Sequence, residues 1–239
     1  MDRLIEFIRE VDEKSFAEMI DHTLLKPDAN YSLVEKYVKD TITYGFKTLV
    51  LPLSLIPIAK SIQPSIKLCS VIGFPLGNVS TRVKVYETLV AAEEEVEEID
   101  VVMNISYLKS GDYDRVLRDL VEVVGTAKRN GIEIVKVIIE TALLSDDEKK
   151  IASEIVVKAG ADFVKTNTGF LGGGATVHDV TLIKNTVGDR AKIKASGGIR
   201  HALDAISLIL AGASRIGTSS GDIIMKEYLE FRKTLVGKY

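Results

Sequence analysis

In Ala159-Gly160-Ala161-Asp162-Phe163-Val164-Lys165-Thr166-Asn167-Thr168-Gly169, a short apolar strand delivers a lysine at its end and breaks at once into a hydroxyl-rich turn closed by glycine. An ammonium group is seldom buried alone, so a lysine that continues an apolar strand needs a carboxylate beside it or a depressed pKa. By itself the stretch fits a salt-bridged structural lysine as well as a reactive amine. A related stretch returns later as Ala211-Gly212-Ala213-Ser214-Arg215-Ile216-Gly217-Thr218-Ser219-Ser220-Gly221, with Gly217 where the first copy has Lys165. One turn presents an amine; its relative presents bare backbone and hydroxyls. Alternate strands of a closed barrel share side-chain layers, so like turns on a sixth and an eighth strand are geometrically sensible.

Around these copies the chain repeats one unit: a short β-branched run, a polar turn, then ten or more residues of helical period. Strands are expected at 19–22, 47–51, 67–72, 99–103, 134–139, 162–165, 192–195 and 215–216, and helices at 32–44, 80–95, 113–130, 146–159, 177–186 and 202–211. Leu4, Ile5, Ile8 and Val11 recur at helical spacing, which predicts a preceding amphipathic helix, a lid or a packing arm. Eight strands alternating with helices in 239 residues predict an α/β fold, a (β/α)8 TIM barrel with an additional N-terminal helix. No linker or composition break interrupts the pattern, so residues 1–239 are expected to form a single domain.

With 46% hydrophobic and 27% charged residues, the composition is that of an ordinary soluble domain with a substantial core. The net charge of -3 and the lack of a basic block argue against nucleic acid as a partner. A lone cysteine, Cys69, excludes an intramolecular disulfide and a cysteine-built zinc site, and fits a reducing compartment. The opening residues mix acids and bases among apolar ones, and no stretch reaches the length of a membrane span, so a cytoplasmic protein without a membrane partner is expected. His22, His178 and His201 form no pair at helical ligand spacing, so no metal site is expected.

In such barrels the chemistry lies at the carboxyl ends of the strands. On the fifth strand the period of two puts Lys136, Ile138 and Glu140 on one face and Val135, Val137 and Ile139 on the other. The wholly β-branched face suits the helices, so Lys136 and Glu140 are expected to point inward. The same argument brings Lys194, Asp100, Val102 and Asn104 to the barrel mouth beside Lys165, with Asp21 at the end of the first strand. Gathered lysines oppose one another's protonation and burial opposes charge, so one can stand neutral near pH 7. A neutral lysine attacks an aldehyde or ketone to form a protonated Schiff base, an electron sink that lets a neighbouring carbon lose a proton or break a carbon-carbon bond. A carboxylate such as Asp100, acting with water, could shuttle the protons. A structural ion network with no reactive member is the alternative.

Ser196-Gly197-Gly198-Ile199-Arg200 follows the seventh strand and Gly217-Thr218-Ser219-Ser220-Gly221 the eighth, each leading toward a helix start. Glycines admit close backbone approach, N–H groups and the helix dipole favour an anion, and hydroxyls add donors. Gly169, Gly197, Gly198, Gly217, Ser219 and Ser220 are therefore expected to cradle a phosphate, with Arg200 adding charge or serving as a surface residue. Asp21, Lys136 and Thr168 are the candidates for other substrate contacts. His178 and His201 are expected to be structural, and His22 to support Asp21. Gly172-Gly173-Gly174 extends the turn after Lys165 and could let that loop close over substrate.

Six segments together resemble the deoxyribose-phosphate aldolases: Asp21-His22-Thr23-Leu24-Leu25-Lys26-Pro27, Val71-Ile72-Gly73-Phe74-Pro75-Leu76-Gly77, Glu98-Ile99-Asp100-Val101-Val102-Met103-Asn104, Lys136 through Thr141, Phe163 through Gly169, and Lys194 through Arg200. They follow the family's order and span nearly the whole chain. The resemblance implies a class I aldolase that reversibly cleaves 2-deoxy-D-ribose 5-phosphate to acetaldehyde and D-glyceraldehyde 3-phosphate, with no metal and no cofactor. It implies Lys165 as the Schiff-base lysine, Lys194 as the neighbour that lowers its pKa and Asp100 as the proton-relay acid. It further implies a homodimer or homotetramer, and it leaves Tyr239 as either a proton shuttle or a frayed terminus. Two alternatives share the barrel and the cradle: a sugar-phosphate isomerase with Glu140 as base, and a non-catalytic sugar-phosphate-binding barrel. Neither has a use for Lys165 beside Lys194.

Overall fold

The computed structural model describes residues 2–237, so Tyr239 lies outside the described residues. Eight parallel strands close into a barrel in chain order: β1 (Ile20–Thr23), β2 (Thr48–Leu51), β3 (Leu68–Ile72), β4 (Glu98–Val102), β5 (Ile134–Ile138), β6 (Phe163–Lys165), β7 (Lys192–Ser196) and β8 (Arg215–Thr218). The expected helices appear as α3 (Tyr31–Tyr44), α5 (Thr81–Glu93), α7 (Tyr113–Arg129), α8 (Asp146–Lys158), α9 (Val177–Val187) and α10 (Ala202–Leu210). The N-terminal segment forms α1 (Asp2–Glu10) and α2 (Glu13–Ala17), and α11 (Gly221–Leu235) ends the described chain. The α1–α2 segment is a packing arm: Phe16 stacks on Tyr228 of α11 at 3.8 Å, and the Tyr228 hydroxyl donates to the Val11 carbonyl. The expected helices leave out α4 (Ile56–Ile62) and α6 (Ile105–Lys109), which are too short to show a stripe, and also α11, of which the sequence predicts only a start after the eighth strand. Asn104, expected at the barrel mouth, instead caps α6, its side-chain oxygen accepting from Tyr107 N–H.

Every strand has one face on the helices and one in the barrel. Ile99, Val101, Val135, Val137, Ile139, Val164, Ile193, Ala195 and Ile216 join the continuous apolar layer between strands and helices. The inward residues fall into three tiers of four contributed by alternate strands, the usual arrangement of such a barrel. Asp21, Cys69, Lys136 and Lys194 from the odd strands make the middle tier. Each is registered with one residue of a lower tier, Thr48, Glu98, Phe163 and Arg215, and with one of an upper tier, Gly217, Val50, Asp100 and Lys165. Branched apolar residues normally fill these tiers. Here Asp21, Glu98, Asp100, Lys136, Lys165, Lys194 and Arg215 occupy seven of the twelve positions.

The same alternation corrects the expectation for His22. It follows Asp21 directly, so its ring points the other way, out of the barrel, where it stacks on Tyr37 of α3 with centroids 4.2 Å apart and lies beside Phe46. It therefore does not support Asp21. Its ring is fully buried, and neither ring nitrogen has a hydrogen-bond partner. Burial pushes its pKa down to about 4, although Asp40, 3.7 Å from Nε2, opposes the fall. A free histidine titrates near 6.5, so as the pH falls below that value the unfolded chain binds the proton first. The stability associated with neutral His22 is complete above the unfolded value and is lost as the pH falls through the folded one. Comparing denaturant unfolding at pH 7 and pH 4, the native chain should lose about 3 kcal/mol more than a His22→Leu variant. Equal losses would show that His22 is not buried in its neutral form.

Candidate active site

Lys165 ends β6, and its registered neighbour across β7 is Lys194. Both ammonium groups meet one carboxylate oxygen, Asp100 Oδ2, at 2.7 Å each. Lys194 has a second anion, Asp21 Oδ2, at 2.6 Å. Lys136 lies among three carboxylates, with Glu98 at 2.6 Å, Asp100 at 3.0 Å and Asp21 at 3.8 Å. Arg215 closes the network from below, 2.6 Å from Asp21 and 3.3 Å from Glu98. The Thr48 hydroxyl donates to Asp21, and the Cys69 thiol packs 3.4 Å from both Lys136 Nζ and Asp100 Oδ1. Burial first, and then the Asp100 charge, pushes that thiol up, so it stays protonated and unreactive.

Counted as ionised, the cluster holds four cations (Lys136, Lys165, Lys194, Arg215) and three anions (Asp21, Glu98, Asp100). Neutrality in a dry enclosure is reached when one cation gives up its proton. The partner counts choose which. Burial pulls all three lysines toward the neutral form, but Asp100 and Asp21 outweigh it at Lys194, and Asp100 with further anions outweighs it at Lys136, so both stay charged. Lys165 has Asp100 as its carboxylate partner and the Lys194 charge against it. Burial therefore wins there, and its pKa falls below the ordinary lysine value. Burial also pushes Asp100 up, but Lys136, Lys165 and Lys194 together outweigh that and hold its carboxyl well below the usual carboxylate range.

A cavity of about 250 Å³ opens above this cluster, and Lys165 is the member of the network that lines it. Thr168, Gly169, Gly197, Gly198, Gly217, Ser219 and Arg200 also line it, and Ser220 stands behind, its N–H donating to Thr218 Oγ1 at 2.9 Å. Asp21 and Lys136, expected to contact substrate, are fully buried beneath the cavity and make their contacts to the other charges. The structure adds Thr23, Leu24, Leu25, Lys26, Tyr37 and Thr218 to the lining. Four of the turn carbonyls, which would repel an anion, are engaged elsewhere. Ser196 O accepts from Thr166 Oγ1, Gly197 O from Ala175 N–H, Ile199 O from Thr218 Oγ1 and Ser219 O from Tyr37 Oη. Gly174 is pressed against the β7 turn, where an added Cβ would stand 2.8 Å from Gly197 O, so at that residue the glycine run serves close approach rather than loop movement.

Glu140, the base of the isomerase alternative, follows β5 with a left-handed backbone (φ 53°). Its Oε2 accepts from Thr168 N–H at 2.9 Å and holds the turn after Lys165, while its Oε1 is buried without a hydrogen-bond partner, and Glu140 is not among the residues that line the cavity. His201 pairs with Glu227 and His178 with Asp146, both on the exposed rim. Asp146, His178 and Asp179 bring ligand atoms within 4.8 Å of one another, but the Lys149 ammonium already bridges the two aspartates at 3.1 and 2.6 Å. That grouping is an ion-pair knot joining α8 to α9.

Residues 16–226 match the DeoC/LacD family aldolase. A deoxyribose-phosphate aldolase of Carboxydothermus hydrogenoformans is 52% identical over 219 residues, which is 90% of this chain and 96% of that protein. Among solved structures, the aldolase QR15 is 41% identical with a TM-score of 0.87 and covers 95% of this chain and 99% of its own. The tetrameric deoxyribose phosphate aldolase of Aeropyrum pernix is 33% identical with a TM-score of 0.86, covering 95% of this chain and 97% of its own.

The imbalance among the lysines predicts how Lys165 reacts. Its labelling rate with a small neutral electrophile, followed by mass spectrometry against pH, should titrate below the value of about 10.4 typical of lysine. In Lys194→Met that midpoint should move up, because the like charge opposing protonation is gone while Asp100 remains. An unmoved or lower midpoint would mean that Lys194 does not tune the amine.

Proposed function

The chain belongs to the DeoC/LacD aldolase family, and on that premise we infer that its barrel mouth performs a retro-aldol cleavage through a Schiff base on Lys165. The reaction is the reversible cleavage of 2-deoxy-D-ribose 5-phosphate to acetaldehyde and D-glyceraldehyde 3-phosphate. What supports this reading most is the inequality of the three lysines inside the barrel: among them, the one that lines the cavity is the one whose pKa is lowered.

Neutral Lys165 adds to the C1 aldehyde of the open-chain sugar, giving a carbinolamine, and loss of water leaves the protonated imine. Removal of the C3 hydroxyl proton then breaks the C2–C3 bond. Its electron pair passes into the iminium, glyceraldehyde 3-phosphate departs, and an enamine remains on the lysine. Protonation of the enamine at C2 and hydrolysis of the imine release acetaldehyde and return the amine. The water lost in the first half is regained in the second, and the iminium is the electron sink, so the bond changes balance without a metal or a cofactor. Asp100 is a weak base while three ammonium groups surround it. Once Lys165 has given up its proton, standing as the neutral amine and then as the carbinolamine, one of those cations is gone, and the proton affinity of Asp100 rises where a relay through water is needed.

Lys194 keeps its charge and acts on Lys165 through space, while Asp21 and Lys136 hold the network rather than touch substrate. The phosphate rests in the cradle of Gly169, Gly197, Gly198, Gly217, Ser219 and Ser220, with Thr168 beside the sugar. Residues 1–239 act as one catalytic domain in the cytoplasm, assembled as a homodimer or homotetramer, an assembly that the tetrameric relative supports. Among the described residues no helix is long and apolar enough to cross a membrane.

Borohydride reduction in the presence of 2-deoxyribose 5-phosphate should leave a stable adduct on the peptide bearing Lys165, absent without the sugar and absent in Lys165→Ala, which should lose aldolase activity. An adduct on Lys194 would exchange the two roles. Bound sugar phosphate with no adduct would end the Schiff-base reading.

A further inference from the structure

Tyr37 belongs to α3, on the far side of β1 from the charged cluster, yet it is among the residues that line the cavity. Its hydroxyl donates to the Ser219 carbonyl at 3.0 Å, across 182 residues of chain. The peptide that follows Ser219 is held at its other end too, because Ser220 N–H donates to Thr218 Oγ1 at 2.9 Å. Thr218 Oγ1 in turn donates to Ile199 O at 2.7 Å, tying the turn after β8 to the turn after β7. The ring is fixed from behind by fully buried His22, stacked on it with an interplanar angle of 13°. His22 itself abuts the start of α11: a Cβ added at Gly221 would stand 2.7 Å from its Nδ1. Lys36, next to Tyr37, reaches Asp222 at 3.5 Å and joins the same helix start to α3.

We propose that Tyr37 is a positioning residue for phosphate binding: its hydroxyl holds the Ser219 carbonyl and so fixes the orientation of the 219–220 peptide in the cradle. A carbonyl freed from that bond could turn toward the cavity and set its negative end against the substrate's phosphate. Lys165 and Asp100 are not part of this device, so it acts on the phosphorylated end of the substrate rather than on the bond-breaking step. The proposal rests on the aldolase reading given above.

Tyr37→Phe keeps the ring and its stack on His22 and removes the hydroxyl alone. The ratio of kcat/KM for 2-deoxyribose 5-phosphate to that for unphosphorylated 2-deoxyribose should fall about 3- to 10-fold, the size expected for one hydrogen bond. Inorganic phosphate should weaken as a competitive inhibitor by a like factor, and hydrogen exchange at Ser220 N–H should quicken. An unchanged ratio, or equal losses on both sugars, would overturn the proposal. A lower ratio with unchanged Ser220 exchange would also overturn it, because Tyr37 would then be touching the phosphate itself. Borohydride trapping on Lys165 in both proteins separates the two readings: no adduct in the unmutated chain defeats the aldolase reading, whereas an adduct with an unchanged ratio defeats only the role of Tyr37.

Discussion

An ammonium group cannot enter a barrel core alone, because the solvation it loses is worth far more than any packing it gains. Every inward cation here is accordingly matched to a carboxylate within 2.7 Å. The matching is uneven, with three carboxylates around Lys136, two at Lys194 and one at Lys165. That uneven matching, rather than any special feature of Lys165 itself, leaves one amine with a lowered pKa. It depends on register: Lys165 and Lys194 are opposed across β6 and β7, and a slip of one residue would turn one of them out among the helices.

The barrel thus separates two kinds of polarity by height. Side-chain charge fills the middle and the bottom, where Asp21, Glu98, Lys136, Lys194 and Arg215 are out of the cavity's reach. Backbone lines the top of the β6–β8 side, where Gly217 holds its upper-tier place without a side chain and so lets the Lys194 side chain pack against it, an added Cβ standing 2.9 Å from Lys194 Cε. Lys165 stands at the boundary, its amine on Asp100 and the residue lining the cavity. The arrangement suits a substrate with a carbonyl at one end and a phosphate at the other, since the cavity has an amine held by fixed charges on one side and, on the other, turns in which the Ser196, Gly197, Ile199 and Ser219 carbonyls are engaged elsewhere.

Much of this was legible because the signals involved are local. The strand-turn-helix rhythm needs only neighbouring residues, and the period of two on β5 correctly sent Lys136 inward and Val135, Val137 and Ile139 outward. Applied with equal rigour, the same period would have placed Glu98 beside Asp100, turned Arg215 inward and sent His22 away from Asp21. Glu98 lies one residue outside the strand expected at 99–103, and Arg215 opens a run whose strand signal covers only 215–216, too few residues for a period to show. Tyr37 was beyond such reasoning altogether. Its place on a helix marks it as core, and only the closure of β1 against β8 brings α3 under the turn after β8. The partner count of each lysine was equally hidden, since it depends on tiers drawn from strands far apart in the chain.

Stability alone would not select this interior. Replacing a buried ion network by well-packed apolar residues of similar volume is often neutral or stabilising, whereas removing one partner strands a charge at a cost of several kcal/mol. The network is therefore easy to break and offers little by way of folding energy. Its members also constrain one another. Apolar replacement of Asp100 would leave Lys165 without an anion, and replacement of Lys194 would remove the like charge that keeps Lys165 from holding its proton. Replacement of Asp21 would take an anion from Lys194, Lys136 and Arg215 together. A barrel that needs one neutral amine at its mouth must keep the other charges beneath it fixed, and that requirement accounts for an interior that packing would not choose.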